Sequence, residues 1–253
     1  MNKLAIVTGA TSGIGRATSV KLASLNYDLI ITGRRESKLN DLTSELEKEY
    51  SIKVKALTFD IRDNQQTEIA INSLKDEWRK VDVLINNAGL AAGADPIQDG
   101  LLSDWEQMID TNVKGLLYIS KMIIPLMISR GKGQIVNISS IAGKEVYANG
   151  NVYCATKHAV EALTKGMRID LLKHGIKVSS VSPGMVDTEF SLVRYHGNKE
   201  KADDVYKGLT PLFAEDIADT IEFIITRPPH VNINDILVMP TAQASAVYNF
   251  REE

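Results

Sequence analysis

Short apolar runs alternate with amphipathic segments along the whole chain, and the alternation predicts its architecture. Short segments rich in apolar residues, which indicate strands, occupy residues 4–7, 27–32, 54–59, 81–85, 134–138, 176–181 and 236–239. Segments with helical periodicity occupy residues 16–25, 36–50, 64–79, 104–129 with an interruption at Pro125, 151–174 and 215–226. Strands that alternate with helices predict the α/β class: a single Rossmann-type, doubly wound parallel sheet with helices on both faces.

The chain is predicted to be a single domain with one lid over the functional site. No linker, repeat or low-complexity run divides it, so residues 1–253 are expected to form one dinucleotide-binding and catalytic domain. Residues 185–210 are polar and poorly periodic, which predicts a loop or short-helix lid over the site. Because ligands of such sheets bind beyond the carboxyl ends of the strands, we expect the functional residues where strands end.

The first predicted strand runs into a glycine-rich turn. Gly9, Gly13 and Gly15 follow it with the spacing G-x-x-x-G-x-G, immediately before a helical segment. Glycines allow a tight turn and a close approach of backbone N–H groups to a pyrophosphate at a helix N-terminus. The spacing is not the commoner G-x-G-x-x-G, but its place after a first strand favours a dinucleotide site over an ordinary loop.

The ends of the next strands carry candidate cofactor ligands. The second strand ends in Gly33-Arg34-Arg35, where a dinucleotide fold meets the adenosine ribose. A carboxylate there favours NAD, whereas arginines accommodate the 2′-phosphate of NADP through charge-assisted bonds, unless both simply begin a helix and face water. Asp60 and Asn87 end the third and fourth strands, as adenine ligands, strand-stabilising groups or ordinary turn residues.

A phenol and an ammonium four residues apart begin the helical segment after the fifth strand. Tyr153 and Lys157 should share one helix face, and a cation beside a phenol favours the phenolate. The pair could therefore exchange a proton with a substrate hydroxyl near neutral pH. Taken alone, this spacing favours two amphipathic side chains on a solvated helix face, and the neighbouring motifs must decide.

Composition and charge restrict the class of protein further. The net charge is −3 with scattered positive residues, which argues against a nucleic-acid surface. The single cysteine, Cys154, excludes an internal disulfide and fits a reducing compartment. A signal peptide and a membrane span are not expected, so the sequence predicts a cytoplasmic protein with no membrane partner. The spacing of cysteine and histidine does not suit zinc, and a metal is not expected.

The motifs taken together resemble the short-chain dehydrogenase/reductase superfamily. They are TGATSGIG at 8–15, NNAG at 86–89, an internal Asn112, Ser140, and Tyr153 with Lys157. The resemblance implies that Asn112, Ser140, Tyr153 and Lys157 form a catalytic tetrad. Ser139 is the rival serine, at a spacing one residue too long. The resemblance also implies a homotetramer.

The resemblance assigns a role to each member of the tetrad. Tyr153 acts as base in alcohol oxidation and as acid in carbonyl reduction, Lys157 lowers its pKa and holds the nicotinamide ribose, Ser140 binds the reacting oxygen, and Asn112 positions a water. Neither Cys154 nor His158 is expected to react. The expected cofactor residues are Gly9, Thr11, Ser12, Gly13, Ile14, Gly15, Arg34, Arg35, Asp60, Asn87, Ala88, Gly89, Tyr153, Lys157, Pro183, Gly184 and Thr188.

Longer strings, including TGRR, TEFSLVR and HVNINDILVMP, are similar to the NADP-dependent 3-hydroxy acid dehydrogenases. This similarity implies hydride transfer between NADP and a small 3-hydroxy acid or its semialdehyde or keto form. The alternatives are a reductase of 3-oxoacyl thioesters or small diketones, and an NADP-sensing binding protein without catalysis. A substrate carboxylate needs a cation near Ser140, and Arg194 is preferred to Lys144 because arginine can bind a carboxylate bidentately.

Overall fold

Seven segments form strands, as the pattern predicts. The central strands are buried because helices cover both faces of the sheet, whereas the edge strands over residues 54–58 and 235–238 are partly exposed. The computed structural model describes residues 2–252. Its strands are β1 Lys3–Thr8, β2 Tyr27–Gly33, β3 Val54–Thr58, β4 Val81–Asn86, β5 Gly133–Ile138, β6 Ile176–Pro183 and β7 Asp235–Val238. They pair in parallel in the order β3-β2-β1-β4-β5-β6-β7. The strand order reverses at β1 and β4, which is where a doubly wound sheet opens a crevice.

Helices cover both faces of this sheet. They are α1 Gly13–Ser24, α2 Glu36–Glu49, α3 Asn64–Asn72, α4 Leu102–Ile109, α5 Leu116–Ile128, α6 Asn151–Leu171, α7 Glu189–Arg194, α8 Lys199–Asp204 and α9 Ala214–Ile225. Helices α1, α2 and α9 bury Leu22, Leu39 and Ile217 against one face. Helices α3, α5 and α6 bury Ile71, Ile119 and Val160 against the other. The predicted fold is confirmed.

The predicted helix over residues 64–79 is shorter in the structure. Helix α3 ends at Asn72, and a separate 3₁₀ helix follows at Asp76–Arg79. Between them Leu74 is buried to 1% exposure in the core, and Asp76 takes a φ of +47° that an α-helix cannot continue through. The sequence pattern did not indicate this break between residues 72 and 76, because both flanking segments are helical and Leu74 between them is an apolar core residue.

The long predicted helix over residues 104–129 is interrupted at a different place from the one expected. Pro125 lies inside α5, and Ser129 N still donates to Pro125 O at 3.0 Å. The irregularity is instead a π turn at Asp110–Gly115, which joins α4 to α5 and contains Asn112. A π turn inserts one extra residue into a helix, often at a functional site, and here it changes the direction in which Asn112 is presented.

The predicted lid over residues 185–210 contains two short helices, α7 and α8, which follow the carboxyl end of β6. The side chain of Thr188 accepts from Phe190 N at 3.2 Å at the start of α7, and Asn198 Oδ1 accepts from Lys201 N at 3.0 Å at the start of α8. Both caps fix short helices that are too short to be stable alone. Within residues 2–252, none of the helices is both long and apolar enough to span a membrane.

Candidate active site

A cavity of about 350 Å³ lies at the carboxyl ends of β1, β2, β4, β5 and β6, beneath α7. Sixteen of the seventeen expected cofactor residues line it, and Gly15 lies behind it. Among the four expected catalytic residues, Ser140, Tyr153 and Lys157 line the cavity, and Asn112 lies behind them. The topology therefore brings residues that are up to 180 positions apart in the chain to one cleft, as the motif positions at strand ends predict.

The glycine-rich turn forms the floor of the cavity. Gly9 has a φ of +66° and Gly13 a φ of +50°, which favour glycine. A Cβ at Gly15 would lie 2.3 Å from Gly9 O and 2.4 Å from Asn87 Nδ2, so the turn and α1 can meet only if Gly15 lacks a side chain. The amino end of α1 thus faces the cavity with no acidic residue in its first turn, which suits an anionic group such as a pyrophosphate.

The side chain of Asn87 belongs to the structure of this floor. Its Nδ2 donates to Thr8 O at 2.8 Å and to Gly9 O at 3.2 Å, while Thr8 Oγ1 accepts from Asn87 N and Ala88 N, each at 3.0 Å. These bonds tie the end of β4 to the end of β1. Among the alternatives considered for Asn87, the structure shows the strand-stabilising contact.

The end of β2 carries a group of charged side chains, Arg34, Arg35, Lys38 and Glu189, which we call the arginine end of the cleft. Arg35 donates to Glu189 Oε2 at 2.8 Å, and Lys38 donates to Glu189 Oε1 at 2.9 Å. These bonds lower the pKa of Glu189 to about 2, so this carboxylate is ionised at any working pH. Arg35 also donates to Thr11 Oγ1 and Ser12 Oγ, both at 2.8 Å from its Nη2, and so braces the glycine-rich turn.

Arg34 is the less engaged of the two arginines. Its side chain is 55% exposed, and its Nη1 lies 3.9 Å from Asp60 Oδ2. Asp60 is committed to Arg62, which donates to it at 2.6 Å from Nη2 and 3.0 Å from Nε. Burial opposes ionisation of Asp60, but the bonds from Arg62 outweigh it and lower the pKa of Asp60. Arg34 therefore keeps donors available for a ligand, whereas the oxygens of Asp60 are largely used.

The opposite end of the cleft, which we call the tyrosine end, is lined by Ser140, Tyr153 and Lys157, and Arg194 lies next to the ring of Tyr153 without lining the cavity. Tyr153 is 7% exposed, and its ring meets the ring of Phe190 edge-on at 5.7 Å between centroids. Burial raises the pKa of the Tyr153 phenol and Tyr147 adds to the rise, while hydrogen bonding by Ser140 and the charge of Arg194 oppose it. In this environment the phenol keeps its proton at neutral pH.

Lys157 lies one helical turn after Tyr153, with Nζ 5.9 Å from the centroid of the Tyr153 ring. Its side chain is buried, and Nζ donates to Ile138 O at 2.9 Å. Burial lowers the pKa of Lys157 to about 8, although the charge of Glu161 raises it. The shared helix face follows from the spacing of four residues, but the buried ammonium that titrates near neutral pH follows only from the packing of α6 against β5.

Asn112 lies behind the tyrosine end and links the segments that form it. Its Oδ1 accepts from Leu90 N and its Nδ2 donates to Leu90 O, both at 2.8 Å, and Nδ2 also donates to Thr156 Oγ1 at 3.0 Å. A Cβ at Gly89 would lie 3.2 Å from Asn112 Oδ1 and 3.4 Å from Lys157 Nζ. The π turn, Gly89 and α6 thus converge, and protein groups use both N–H donors of the Asn112 carboxamide while its oxygen accepts one bond.

The two adjacent serines after β5 differ in direction. Ser140 begins the 3₁₀ helix Ile141–Gly143, and its Oγ accepts from Ala142 N at 3.1 Å on the side of the cleft that contains Tyr153. Ser139 Oγ would lie 2.6 Å from a Cβ at Gly143 and has no hydrogen-bond partner within residues 2–252. Of the two hydroxyls, only that of Ser140 is placed to bond the Tyr153 phenol.

The two candidate cations for a substrate carboxylate have different positions. Lys144 lies outside the cavity, where its Nζ contacts Glu161 Oε2 at 2.7 Å and Asp235 Oδ2 at 2.6 Å. Both carboxylates already neutralise Lys144, so its ammonium group is not available to a substrate carboxylate. Arg194 lies beside the tyrosine end: its guanidinium carbon is 5.9 Å from the ring centroid of Tyr153, and Nη1 donates to Tyr147 Oη at 3.1 Å. No carboxylate of residues 2–252 lies within 4 Å of Arg194.

Comparison with known proteins identifies the family and the fold of the chain. The model of a family described as short chain dehydrogenase matches residues 3–198. The chain belongs to this family of enzymes. The glycine-rich turn, the strand ends and the helix with Tyr153 all fall within the matched segment, so the predicted family and its oxidoreductase class are confirmed.

Three similar members of the short chain dehydrogenase family are informative. An NADP-dependent 3-hydroxy acid dehydrogenase of Schizosaccharomyces pombe is 42% identical over 99% of this chain and 97% of its own. A sulfoacetaldehyde reductase 2 of Chromohalobacter salexigens is 43% identical over 98% of each chain. The closed form of a serine dehydrogenase complexed with NADP+ superimposes with a TM-score of 0.91 at 39% identity, covering 99% of this chain and all of the other.

Some residues of this short-chain dehydrogenase site were not found by sequence reasoning. Tyr147, Phe190, Lys38 and Glu189 surround the expected residues but were not expected as site residues, although Phe190 and Glu189 lie within the string TEFSLVR. Lys38 could have been found, because it lies one helical turn after Arg35 in a segment that was expected to be helical. The others could not, since their contacts join parts of the chain that are distant in sequence.

Proposed function

We propose that this chain interconverts a small 3-hydroxy acid and its semialdehyde or keto form with NADP, and that Tyr153 transfers the proton. The observation that carries the proposal is Arg194. It is a largely buried cation without a carboxylate partner within the described chain, and it lies next to the ring of Tyr153. A buried charge is costly unless it is paired, so an anionic group of a bound substrate is the partner that this position lacks.

The cofactor prediction is confirmed: NADP appears in the name of the relative from Schizosaccharomyces pombe and in that of the serine dehydrogenase complex. The residues of the cavity fit it. The left-handed Gly9 and Gly13 open a floor where the helix amino end can bind a pyrophosphate, and Arg34 and Arg35 line the position where a 2′-phosphate needs cations. When bound, NADPH supplies the hydride, and the protein must orient the reactants and move one proton.

The proton steps use Ser140, Tyr153 and Lys157 and the nearby charge of Arg194. Burial keeps the Tyr153 phenol protonated, which suits it as the acid that protonates the carbonyl oxygen during reduction. In oxidation the same phenol must accept a proton, and the positive charges of Lys157 and Arg194 near its ring favour the phenolate that precedes this step. Ser140 Oγ would hold the reacting oxygen, so that the proton crosses one short hydrogen bond.

Arg194 would fix the other end of the substrate. Its bond to Tyr147 and its Nε contact with Gly93 O at 3.3 Å leave guanidinium donors for a carboxylate. A sulfonate is also an anion with several acceptor oxygens, so the name of the Chromohalobacter relative is compatible with the same arrangement. We therefore propose a small substrate with an anionic group on one side and a hydroxyl or carbonyl on the other.

The test is a substrate panel read as NADPH absorbance. It contains L-serine, allo-threonine, 3-hydroxypropionate, 3-hydroxyisobutyrate, sulfoacetaldehyde, acetoin and an acetoacetyl thioester. We expect the anionic hydroxy acids or aldehydes to give the highest kcat/KM. A clear preference for acetoin or the thioester would support the diketone or thioester reductase instead, and binding of NADPH without any turnover would support the cofactor-sensing alternative.

The variant Arg194→Ala sharpens this test. We expect a selective loss in kcat/KM for the acid of about 1.5 to 3 kcal/mol, which is roughly ten- to hundredfold, because a charge-assisted bond is removed. Acetoin, which lacks the anion, should change far less. The variant Arg194→Lys, which keeps the charge but not the fork of donors, should fall in between. An equal fall for the acid and for acetoin would mean that Arg194 only organises the lid.

The homotetramer that the family resemblance implies remains a prediction. The faces of α4 and α5 expose Leu102, Ile109 and Leu117, which are 68%, 41% and 39% exposed. Apolar side chains of this size on neighbouring elements offer surface to a second copy of the chain.

A further inference from the structure

A buried carboxylate lies on the same helix as Tyr153 and Lys157, and the proton steps above do not use it. Glu161 is 5% exposed and comes four residues after Lys157 in α6, so the two side chains share one helix face. Carboxylates are almost never this buried unless they are paired. The partners of Glu161 therefore indicate why the position is charged.

Glu161 bonds the strand that ends at the cavity. Its Oε1 accepts from Ser182 Oγ at 3.0 Å, and its Oε2 accepts from Ser180 Oγ at 3.5 Å. Ser182 directly precedes Pro183 and Gly184, which line the cavity. The carboxylate thus joins the helix of the tyrosine end to the last residues of β6.

Glu161 also bonds the turn that carries Ser140. Lys144 follows the 3₁₀ helix that Ser140 begins, and its Nζ donates to Glu161 Oε2 at 2.7 Å. The turn presses directly on α6 at this place, because a Cβ at Gly143 would lie 2.9 Å from Lys157 O and 3.1 Å from Glu161 Cγ. The ion pair therefore fixes the distance between the turn with Ser140 and the helix with Lys157.

Stability alone does not account for such a pair. Removing two charges from water costs several kcal/mol per ion, and apolar replacements of buried pairs are often neutral or stabilising. We propose that Glu161 is a positioning residue of the reaction: with Lys144 it holds the Ser140 turn against α6, and its negative charge keeps Lys157 in the ammonium form. The proposal rests on the roles of Tyr153 and Lys157 given under Proposed function, but not on the identity of the substrate.

The charges around the two groups define the expected direction. On α6, Tyr153 and Glu161 face Lys157, and burial lowers the pKa of Lys157 to about 8 while Glu161 opposes this. The groups around Glu161 are Lys144 from the turn, Arg168 from α6 and Asp235 from β7. Without the carboxylate, Lys157 should lose its proton at a lower pH. Steps that need the ammonium should then fail earlier as the pH rises.

The principal test is Glu161→Gln, which removes the charge and keeps the size. NADPH affinity, measured by fluorescence between about pH 6 and about pH 9.5, needs no substrate and stays interpretable if the proposed substrate class is wrong. The kcat/KM for reduction is measured over the same range with whichever carbonyl compound is turned over. We expect the decline of both at high pH to begin about 0.5 to 1 pH unit lower, because the charge that favours the ammonium form of Lys157 is removed.

Two further variants separate charge from packing. Glu161→Asp keeps the charge on a shorter side chain. The pH at which NADPH affinity and kcat/KM decline, which we call the high-pH limb, should therefore stay at its wild-type value while kcat decreases. Lys144→Met removes the ion pair between residues 144 and 161 but leaves the carboxylate of Glu161. The high-pH limb of this variant should therefore stay in place or move to higher pH. A limb that moves lower in Lys144→Met, as in Glu161→Gln, would mean general loosening of the site and would overturn the proposal.

The matched control is Asp82→Asn. Asp82 pairs with Arg130 at 2.6 Å with only 16% side-chain exposure, but it lies at the amino end of β4, far from the cleft. We expect this variant to lower the melting temperature and to leave both pH limbs unchanged. The proposal is wrong if Glu161→Gln also leaves both limbs unchanged, or if Asp82→Asn moves them as much.

Discussion

At the arginine end of the cleft, the side chains of Arg35, Lys38 and Glu189 are 43% to 45% exposed, whereas at the tyrosine end Tyr153 and Lys157 are 7% and 5% exposed. Water screens the first group, so each of its ion pairs is worth about 0 to 1 kcal/mol. Burial dominates the second group, where it raises the pKa of Tyr153 and lowers that of Lys157. One end of the same cavity therefore suits adjustable binding of charged groups, whereas the other end contains ionisable groups whose pKa values are set by burial.

The largest effect should come from Tyr153→Phe at the tyrosine end. The ring still packs against Phe190, but the proton is lost, so we expect kcat to fall by about 10² to 10⁴. NADPH affinity, measured by fluorescence titration, should stay within about twofold of wild type. If the variant kept more than about a hundredth of the wild-type kcat, Tyr153 would not be the acid and base.

The contrast between the two ends was only partly predictable from the sequence. The spacing of Tyr153 and Lys157 places both on one helix face whatever the fold around them, and the glycine-rich turn requires small residues for local reasons. The alternation of strand and helix segments indicated a parallel sheet with helices on both faces. Features that depend on a few neighbouring residues were therefore visible in the pattern.

The remaining features depend on contacts between distant parts of the chain. The bond of Arg35 to Glu189 joins residues 154 positions apart, and that of Lys144 to Asp235 joins residues 91 positions apart. Neither pair leaves a local signal, so Lys144 could be taken for a substrate ligand although two carboxylates already hold it. Likewise, the π turn at Asn112 looks like ordinary helix in sequence, and only Pro125 suggested an interruption.

An intermediate effect is expected for Arg34→Ala at the arginine end. Arg34 has the freer guanidinium, and the loss of a charge-assisted bond to the 2′-phosphate should raise the Kd of NADPH by about tenfold, near 1.5 kcal/mol, the lower end of the range because the side chain is exposed. NADH affinity should not change. The control is Arg16→Ala, which removes an equally charged and similarly exposed arginine bonded to Glu45 outside the cavity. Equal wild-type kcat/KM with NADP and NAD would contradict this assignment.

The smallest effect should come from Glu189→Gln, which tests how the lid and the arginine end are joined. The carboxylate of Glu189 holds Arg35 and Lys38, the same cations that a 2′-phosphate would attract. Removing this competing anion should tighten NADPH binding by about two- to fivefold, within the 1 kcal/mol range of an exposed pair. NADH binding should respond less, and the difference should shrink as salt screens the charges. Weaker binding of both cofactors would instead mean that Glu189 acts mainly as the latch of α7 over the cleft, and that the two ends are coupled through the lid.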